Sequence, residues 1–169
     1  MRSKNKFYEH SEGYMVGVTS KGIEFYFDKE DFEKVSQYTW YLSNRGAIET
    51  HNHKNNYKLL KLHRLMKNIV NPKEIIDHIN HNTLDNRKEN LRVCDSRENS
   101  YNQTITRSNN TSGYKGVTWD KTLKKWIAYI HVNYKKLHIG CFENKEDAAR
   151  AYNEKALFYF GEFAFLNSV

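Results

Sequence analysis

Short apolar runs broken by polar turns dominate the first half of the chain, and this pattern predicts several short strands. Residues 14–27 alternate around a turn at Lys21-Gly22, which predicts a β-hairpin. Residues 28–38 predict a short helix capped by an aspartate, with Phe32 and Val35 on its inward face. Two further predictions are strand, turn and strand over residues 39–50, and a strand that runs into a helix over residues 58–68.

The middle of the chain has a different pattern, in which two short apolar runs flank a long polar loop. Ile75-Ile76 predicts the first strand, and Leu91 to Val93 predicts the second. Asp95-Ser96 is a favourable N-cap for a helix across 97–103. The predicted order is therefore strand, loop, strand and helix.

The last third of the chain predicts three strands and one helix after a polar linker. Residues 104–112 lack apolar periodicity and are rich in Ser, Thr and Asn, which is typical of a linker. Apolar alternation over 126–132 predicts a half-buried antiparallel strand, with Trp126, Ala128 and Ile130 facing the helix. The helix is predicted from Asn144 to about Phe160, with Gly161 as its stop and a buried stripe of Ala149, Tyr152, Ala156 and Tyr159.

These elements predict an α+β protein with two small modules. The first, 1–103, contains an α/β part over 1–68 and a compact core over 69–103. The second, 113–169, is a three-stranded antiparallel sheet packed on one helix. The linker at 104–112 separates them.

Composition narrows the class of protein. The chain has 169 residues, a net charge of +7 and 14% aromatic residues. So many aromatic residues indicate buried cores, and a mean hydropathy of −0.87 without a long apolar run argues against a membrane span. The N-terminus lacks the apolar segment of a signal peptide, so we expect a cytoplasmic protein. Cys94 and Cys141 lack metal-ligand spacing and are predicted to be small buried apolar residues.

The positive charge is concentrated in two stretches, which indicates a polyanionic partner. Residues 54–73 contain six basic residues and no acidic one. Residues 107–142 contain seven basic residues, and Asp120 is the only acidic one. Basic stretches without interleaved acids repel themselves, so a solvated face alone explains them poorly.

The polar loop of the middle region carries the candidate chemistry. Asp77 and His78 end its first strand, Asn90 follows His78 by twelve positions, and Asn99 follows it by twenty-one. The Asp77 carboxylate and the Asn99 amide oxygen are ligands that a hard divalent cation prefers. His78 titrates near neutrality and can take a proton from water. Asn90 can hold the loop through hydrogen bonds to the backbone.

The string DHINHNTLDNRKENLRVCDSREN resembles the HNH (ββα-metal) nuclease motif of phage and intron-encoded homing endonucleases. The resemblance implies one Mg²⁺ or Mn²⁺ on Asp77 and Asn99, His78 as general base and Asn90 as the residue that orients His78. Asn86 is a rival for that orienting role. The upstream LHRLMKN, with His63 and Arg64, resembles the segment that precedes the motif in that family, and we expect both residues to contact DNA. No structural zinc is expected.

The C-terminal module resembles the DNA-binding domain of plant APETALA/ethylene-response-factor proteins, through YKGV at 114–117, IGCF at 139–142 and EDAARAY at 146–152. In that family the sheet lies in the major groove of DNA. Lys115 and Lys136 stand where the plant domains have Arg, and Lys lacks the bidentate fork that recognises guanine. The residues expected to contact DNA are Lys115, Thr118, Lys124, Tyr129, His131, Lys136 and His138.

The sequence as a whole predicts a metal-dependent DNA endonuclease of phage or mobile-element homing type. Its expected partner is double-stranded DNA, its expected state is a monomer or weak dimer, and its expected location is the nucleoid of a bacterial or phage-infected cell. A non-catalytic DNA-binding regulator that uses the same sheet is the main alternative. A nuclease directed at RNA fits less well, because the sheet lacks a clear pair of base-stacking aromatic residues.

Overall fold

A computed structural model of the protein describes residues 5–52, 58–103 and 110–169. Its contacts divide the chain into two compact units, Met1–Asp95 and Ser96–Val169. Both units combine sheets with helices, so the protein is α+β as predicted. Most of the predicted linker, at 104–109, lies outside the described residues.

The first unit begins with a three-stranded antiparallel sheet of β1 (Lys6–Glu9), β2 (Met15–Val18) and β3 (Glu24–Phe27). The predicted hairpin over 14–27 is confirmed as β2 and β3. The strand β1 was not predicted, because its residues are mostly exposed and lack apolar alternation.

Helix α1 (Phe32–Ser36) follows β3 and corrects two predictions. Val35 is fully buried as expected, but Phe32 is 38% exposed. Phe32 packs edge-on against the Phe7 ring at the rim of the sheet, 5.6 Å between centroids, so its ring stays partly in solvent. Neither Asp28 nor Asp31, the two candidate caps, caps a helix through its side chain. Asp28 instead accepts a hydrogen bond from the backbone N–H of Lys88.

A second antiparallel sheet and a short helix complete the scaffold of the first unit. The strands are β4 (Tyr41–Leu42), β5 (Ile48–Asn52) and β6 (Lys58–Lys61), in that spatial order. The chain enters α2 (Leu62–Met66) directly from β6, as predicted. The side chains of Trp40, Ile48 and Leu62 are fully buried in one core with Phe25 and Phe27 of the first sheet.

The predicted strand pair of the middle region is confirmed. Strand β7 (Ile75–His78) pairs antiparallel with β8 (Leu91–Cys94), and the twelve residues between them form the polar loop. Asp77 lies opposite Arg92, and His78 lies opposite Leu91. The strands therefore place both candidate catalytic residues at the start of the loop.

The second unit contains α3 (Ser96–Asn102), β9 (Val117–Asp120), β10 (Lys125–Val132), β11 (Lys135–Phe142) and α4 (Lys145–Phe160). The three strands form an antiparallel sheet with β10 in the centre. Ala128 and Ile130 of β10 are buried, in clusters with side chains of α4. The predicted arrangement of a three-stranded sheet on one helix is confirmed.

Two predictions of burial in this unit are wrong. Tyr159 is 42% exposed, and Phe160 takes the next place in the buried stripe because it lies four residues after Ala156. Cys141 is exposed, whereas Cys94 is buried as predicted. Cys141 pairs with Ile127, which alternates with the buried Ala128 and so lies on the face turned away from α4.

Gly161 ends α4 as predicted, and its φ of 54° lies in the range that favours glycine. None of the helices in the described ranges is long and apolar enough to cross a membrane.

Candidate active site

The candidate site begins with a buried ion pair. The Asp77 carboxylate is 9% exposed and the Arg92 side chain opposite it is equally enclosed. Arg92 donates from Nε and Nη2 to the same carboxylate oxygen, Oδ2, at 3.0 and 2.7 Å. This pair fixes the carboxylate in orientation. Arg92 was not predicted as a site residue from the sequence, although the register of the two strands places it opposite Asp77.

His78 is the second buried group of the site. Its Nε2 lies 3.4 Å from Oδ1 of Asn86, which is fully buried. Burial lowers the pKa of His78 from its ordinary value, and the hydrogen bond to Asn86 and the nearby Asp77 oppose this only in part. The imidazole is therefore neutral at neutral pH, the form in which a histidine can accept a proton.

Asn90 holds the polar loop from inside. Its Oδ1 accepts a hydrogen bond from the backbone N–H of Asn80 at 2.9 Å, and its Nδ2 donates to the backbone oxygen of Asp85 at 2.8 Å. The backbone oxygen of Asn90 also accepts from Ile79. Asn90 thus joins the start, middle and end of the loop, whereas Asn86 contacts the imidazole itself.

A second ion pair stiffens the same loop. The buried Asp85 accepts hydrogen bonds from Arg87 at 2.8 Å and from Nδ2 of Asn80 at 3.0 Å. Burial alone would raise the pKa of Asp85, but the Arg87 hydrogen bonds outweigh it and the pKa is lowered. The guanidinium of Arg87 also lies over the Tyr14 ring, 4.7 Å from its centroid. Neither Asp85 nor Arg87 was assigned a role from the sequence.

The loop is fastened to the first sheet. The backbone N–H of Tyr26 donates to Leu84, and the backbone oxygen of Tyr26 accepts from Asn86, both at 2.8 Å. The N-terminal strands therefore serve as a support for the residues around His78. This explains why a hairpin distant in sequence belongs to the candidate site.

The predicted segment His63-Arg64 lies beside the site. The His63 ring packs edge-on against His78, with 5.4 Å between centroids. Burial, helped by His78, lowers the pKa of His63 to about 3. Arg64 donates to the backbone oxygens of Asn71 and Glu74, just before β7. Both residues thus have partners inside the first unit, and their contacts with DNA stay predictions.

The predicted metal ligands belong to different units. Asp77 lies in the first unit and Asn99 lies on α3, in the second. Among the described residues, no three His, Cys, Asp or Glu side chains cluster as a metal site. The predicted metal site differs from such a cluster, because its ligands are one carboxylate and one amide. These hard oxygen donors suit Mg²⁺ or Mn²⁺. The carboxylate of Asp77, oriented by Arg92, fits such a role.

Most of the residues predicted to contact DNA share the outer face of the C-terminal sheet. Tyr129 pairs with His138, His131 pairs with Lys136, and all four lie opposite the face that packs on α4. The Lys136 ammonium lies over the Tyr129 ring, 3.9 Å from its centroid. Thr118 pairs with Ile127 and joins the same face, and Lys124 precedes β10 in the turn, with a φ of 51°.

Lys115 is the exception among these residues. Its Nζ donates to the backbone oxygens of Tyr101 at 2.7 Å and of Gln103 at 2.8 Å. Burial lowers the pKa of Lys115 to about 8. The structure gives this ammonium partners inside the second unit, and its contact with DNA stays a prediction.

Residues 61–101, which contain the strand pair, the loop and most of α3, match a family model described as HNH endonuclease. A protein of Acanthamoeba polyphaga mimivirus described as an uncharacterized HNH endonuclease is 30% identical over 154 residues, 88% of this chain and 77% of the relative. The chain therefore belongs to the HNH endonuclease family and is a nuclease. Protein 3.8 of Escherichia phage T7 is 34% identical over 89 residues, which cover 53% of this chain and 72% of the relative.

Proposed function

We propose that the protein is a metal-dependent DNA endonuclease that hydrolyses phosphodiester bonds at a recognised site, of the phage or mobile-element homing type. The observation that carries the proposal is the buried neutral His78, held against Asn86 and next to the fixed carboxylate of Asp77. A neutral imidazole can accept a proton from water, and a carboxylate is a ligand that a hard divalent cation prefers.

His78 is the general base of this proposal. When Nε2 carries the ring proton it donates to Oδ1 of Asn86, and Nδ1 then carries the lone pair. Nδ1 takes a proton from a water molecule, and the hydroxide so formed attacks the phosphorus in line with the leaving 3′ oxygen. Asn86 fixes the tautomer, and Asn90 fixes the loop that holds Asn86 in place.

Asp77 and Asn99 would hold one Mg²⁺ or Mn²⁺ in the ββα-metal arrangement that the motif implies. Such an ion supplies positive charge for the phosphate and the leaving oxygen. Arg92 contributes by orienting the Asp77 carboxylate, since Nε and Nη2 both donate to Oδ2.

The outer face of the C-terminal sheet would bind the DNA duplex, in the manner of the APETALA/ethylene-response-factor domain. The paired positions of Tyr129, His131, Lys136 and His138 support this proposal, because they place polar and basic side chains on one surface. Lys136 contributes a point charge for phosphate, whereas the sheet's histidines offer ring nitrogens to base edges or phosphates.

Cleavage of plasmid DNA in Mg²⁺ or Mn²⁺, with and without EDTA, tests the proposed function. We expect His78→Ala and Asp77→Ala to lower the cleavage rate by about 100-fold or more while DNA binding persists. His81→Asn, a change at an exposed position of the same loop, is the matched control and should cleave like the wild type. Cleavage that survives both alanine substitutions would refute the site.

The regulator hypothesis makes the opposite prediction. It rests on the same outer face and needs no chemistry from His78. Specific binding without cleavage of any DNA that contains the bound site, in either metal, would favour the regulator over the endonuclease.

A further inference from the structure

Helix α3, which carries Asn99, has contacts within the C-terminal unit. The helix has only seven residues, and an isolated helix of that length is unstable in water. It belongs to the unit Ser96–Val169 together with the three-stranded sheet and α4. The contacts that hold α3 within this unit therefore contribute to the position of Asn99.

Lys115 satisfies the end of α3. The last carbonyl groups of a helix lack partners within the helix and carry the negative end of its dipole. The Lys115 ammonium donates to two such oxygens, those of Tyr101 and Gln103, at 2.7 and 2.8 Å. This is a charge-assisted cap supplied from the segment that leads into β9.

An aromatic stack and a backbone hydrogen bond hold the same turn of the helix. The Tyr101 ring lies on the Phe160 ring at the end of α4, with centroids 3.9 Å apart and planes inclined by 11°. The backbone N–H of Phe165 donates to the backbone oxygen of Tyr101 at 3.3 Å. Tyr101 lies two residues after Asn99, so these contacts act on the turn that carries the candidate ligand.

Lys115 is itself fixed from the C-terminus. Its backbone N–H donates to Oδ1 of Asn167 at 2.7 Å, and its backbone oxygen accepts from Nδ2 of Asn167 at 3.1 Å. Asn167 is buried and exchanges two hydrogen bonds with Asn153 of α4, at 2.9 and 2.8 Å. A continuous set of polar contacts therefore runs from α4 through Asn167 and Lys115 to the end of α3.

We propose that the C-terminal unit positions the nuclease helix, with Lys115 and Tyr101 as positioning residues for Asn99. The inference rests on the proposed role of Asn99 as a metal ligand. It assigns the C-terminal unit a second task besides the proposed DNA binding, since contacts within the unit then also orient the Asn99 side chain.

Mn²⁺ binding to the full-length protein without DNA, followed by electron paramagnetic resonance, tests the proposal. Lys115→Met should weaken Mn²⁺ binding by about tenfold, as loss of a residue that orients a metal ligand usually does. Lys115→Arg should restore most of the affinity, because a guanidinium can cap the same oxygens. Lys155→Met, at an exposed lysine of α4, is the matched control and should bind Mn²⁺ like the wild type.

Kinetics give a second readout that a loss of folded protein would not imitate. Lys115→Met should raise the Mg²⁺ concentration that gives half-maximal cleavage by about tenfold, while kcat at saturating Mg²⁺ stays near that of the wild type. Tyr101→Leu, which removes the stack and leaves the cap, should shift the metal requirement in the same direction. This variant keeps the proposal testable if Lys115→Met does not fold.

Asn99→Ala separates the two proposals. If it leaves Mn²⁺ affinity unchanged, the proposed metal site fails. If Asn99→Ala weakens binding but folded Lys115→Met and Tyr101→Leu both bind Mn²⁺ like the wild type, the metal site stands and the positioning role is overturned.

Discussion

Asn90 shows how one side chain can determine the shape of the polar loop. Its amide is buried and bridges the backbone of Asn80 and Asp85. We expect Asn90→Ala to lower the free energy of unfolding by about 2 kcal/mol, because the backbone N–H of Asn80 and the buried backbone oxygen of Asp85 lose their partner. The variant should also cleave DNA more slowly. Chemical denaturation measures the first effect, and an unchanged midpoint would contradict the bridging role.

His63 gives a pH dependence of stability whose sign follows from burial. Its pKa falls to about 3 in the folded protein, whereas the unfolded chain has the ordinary value near 6.5. The stability associated with the neutral ring is therefore present above pH 6.5 and is lost as the pH falls from there toward 3. At pH 5, unfolding of the wild type takes up about one proton more than unfolding of His63→Leu.

The slope of unfolding free energy against pH, between pH 4.5 and 6, measures this difference for the two proteins. Equal slopes would show that His63 is protonated in the folded state. The comparison variant is His10→Leu, at a histidine whose ring stacks on the ring of Tyr14.

The residues of the site divide into those visible in the sequence and those visible only in the fold. Asp77 and His78 stand out because the motif spacing singles them out. Arg92 depends on the strand register, and the contact of His63 with His78 depends on how α2 packs. Lys115 was assigned to DNA on the basis of resemblance, and only the folded unit shows that its ammonium caps α3.

At the scale of elements, Gly116 shows why the sheet and α4 fit closely. Its φ is +74°, and a Cβ added there would lie 2.1 Å from the Tyr152 ring and 2.5 Å from the backbone oxygen of Tyr129. We expect Gly116→Ala to destabilise the protein by roughly 3 kcal/mol, because neither neighbour can move without separating β10 from α4.

Gly113→Ala is the control for this effect. Gly113 has nearly the same φ, +77°, but nothing lies within 4 Å of an added Cβ. Gly113→Ala should therefore lower the free energy of unfolding only by the strain of an alanine at positive φ, about 1 kcal/mol. Thermal unfolding compares the two variants, and equal losses would show that crowding at Gly116 is unimportant.

Element types were predicted well where apolar alternation was strong, and element details were predicted poorly where it was weak. The strands β10 and β11 and the helix α4 follow directly from their patterns. Phe32 and Tyr159 were predicted to be buried, because the apolar stripe of a helix is wide and residues at its edge also fit the pattern. Both side chains are partly exposed in the structure. Strand β1 has no such pattern, since it is an exposed edge that pairs only with β2.

At the scale of the whole molecule, the positive charge predicts how DNA binding responds to salt. Lys136 lies exposed on the outer face of the C-terminal sheet, and each lysine that neutralises a phosphate contributes to the salt slope. We expect Lys136→Met to weaken binding about equally for all DNA sequences and to reduce the slope of log K against log salt by about 1. Fluorescence anisotropy at several salt concentrations measures this, and an unchanged slope would remove Lys136 from the interface.

The contacts of α3 within the C-terminal unit affect how relatives of this protein can exchange segments by recombination. The matched nuclease segment ends at residue 101, but the contacts divide the chain between Asp95 and Ser96. A chimaera joined in the predicted linker at 104–112 would separate α3 from the residues that cap and stack on it. A chimaera joined at 95/96 would carry the helix together with Lys115, Phe160 and Asn167. Recombination between relatives should therefore yield active hybrids more often when the crossover falls before the helix than after it.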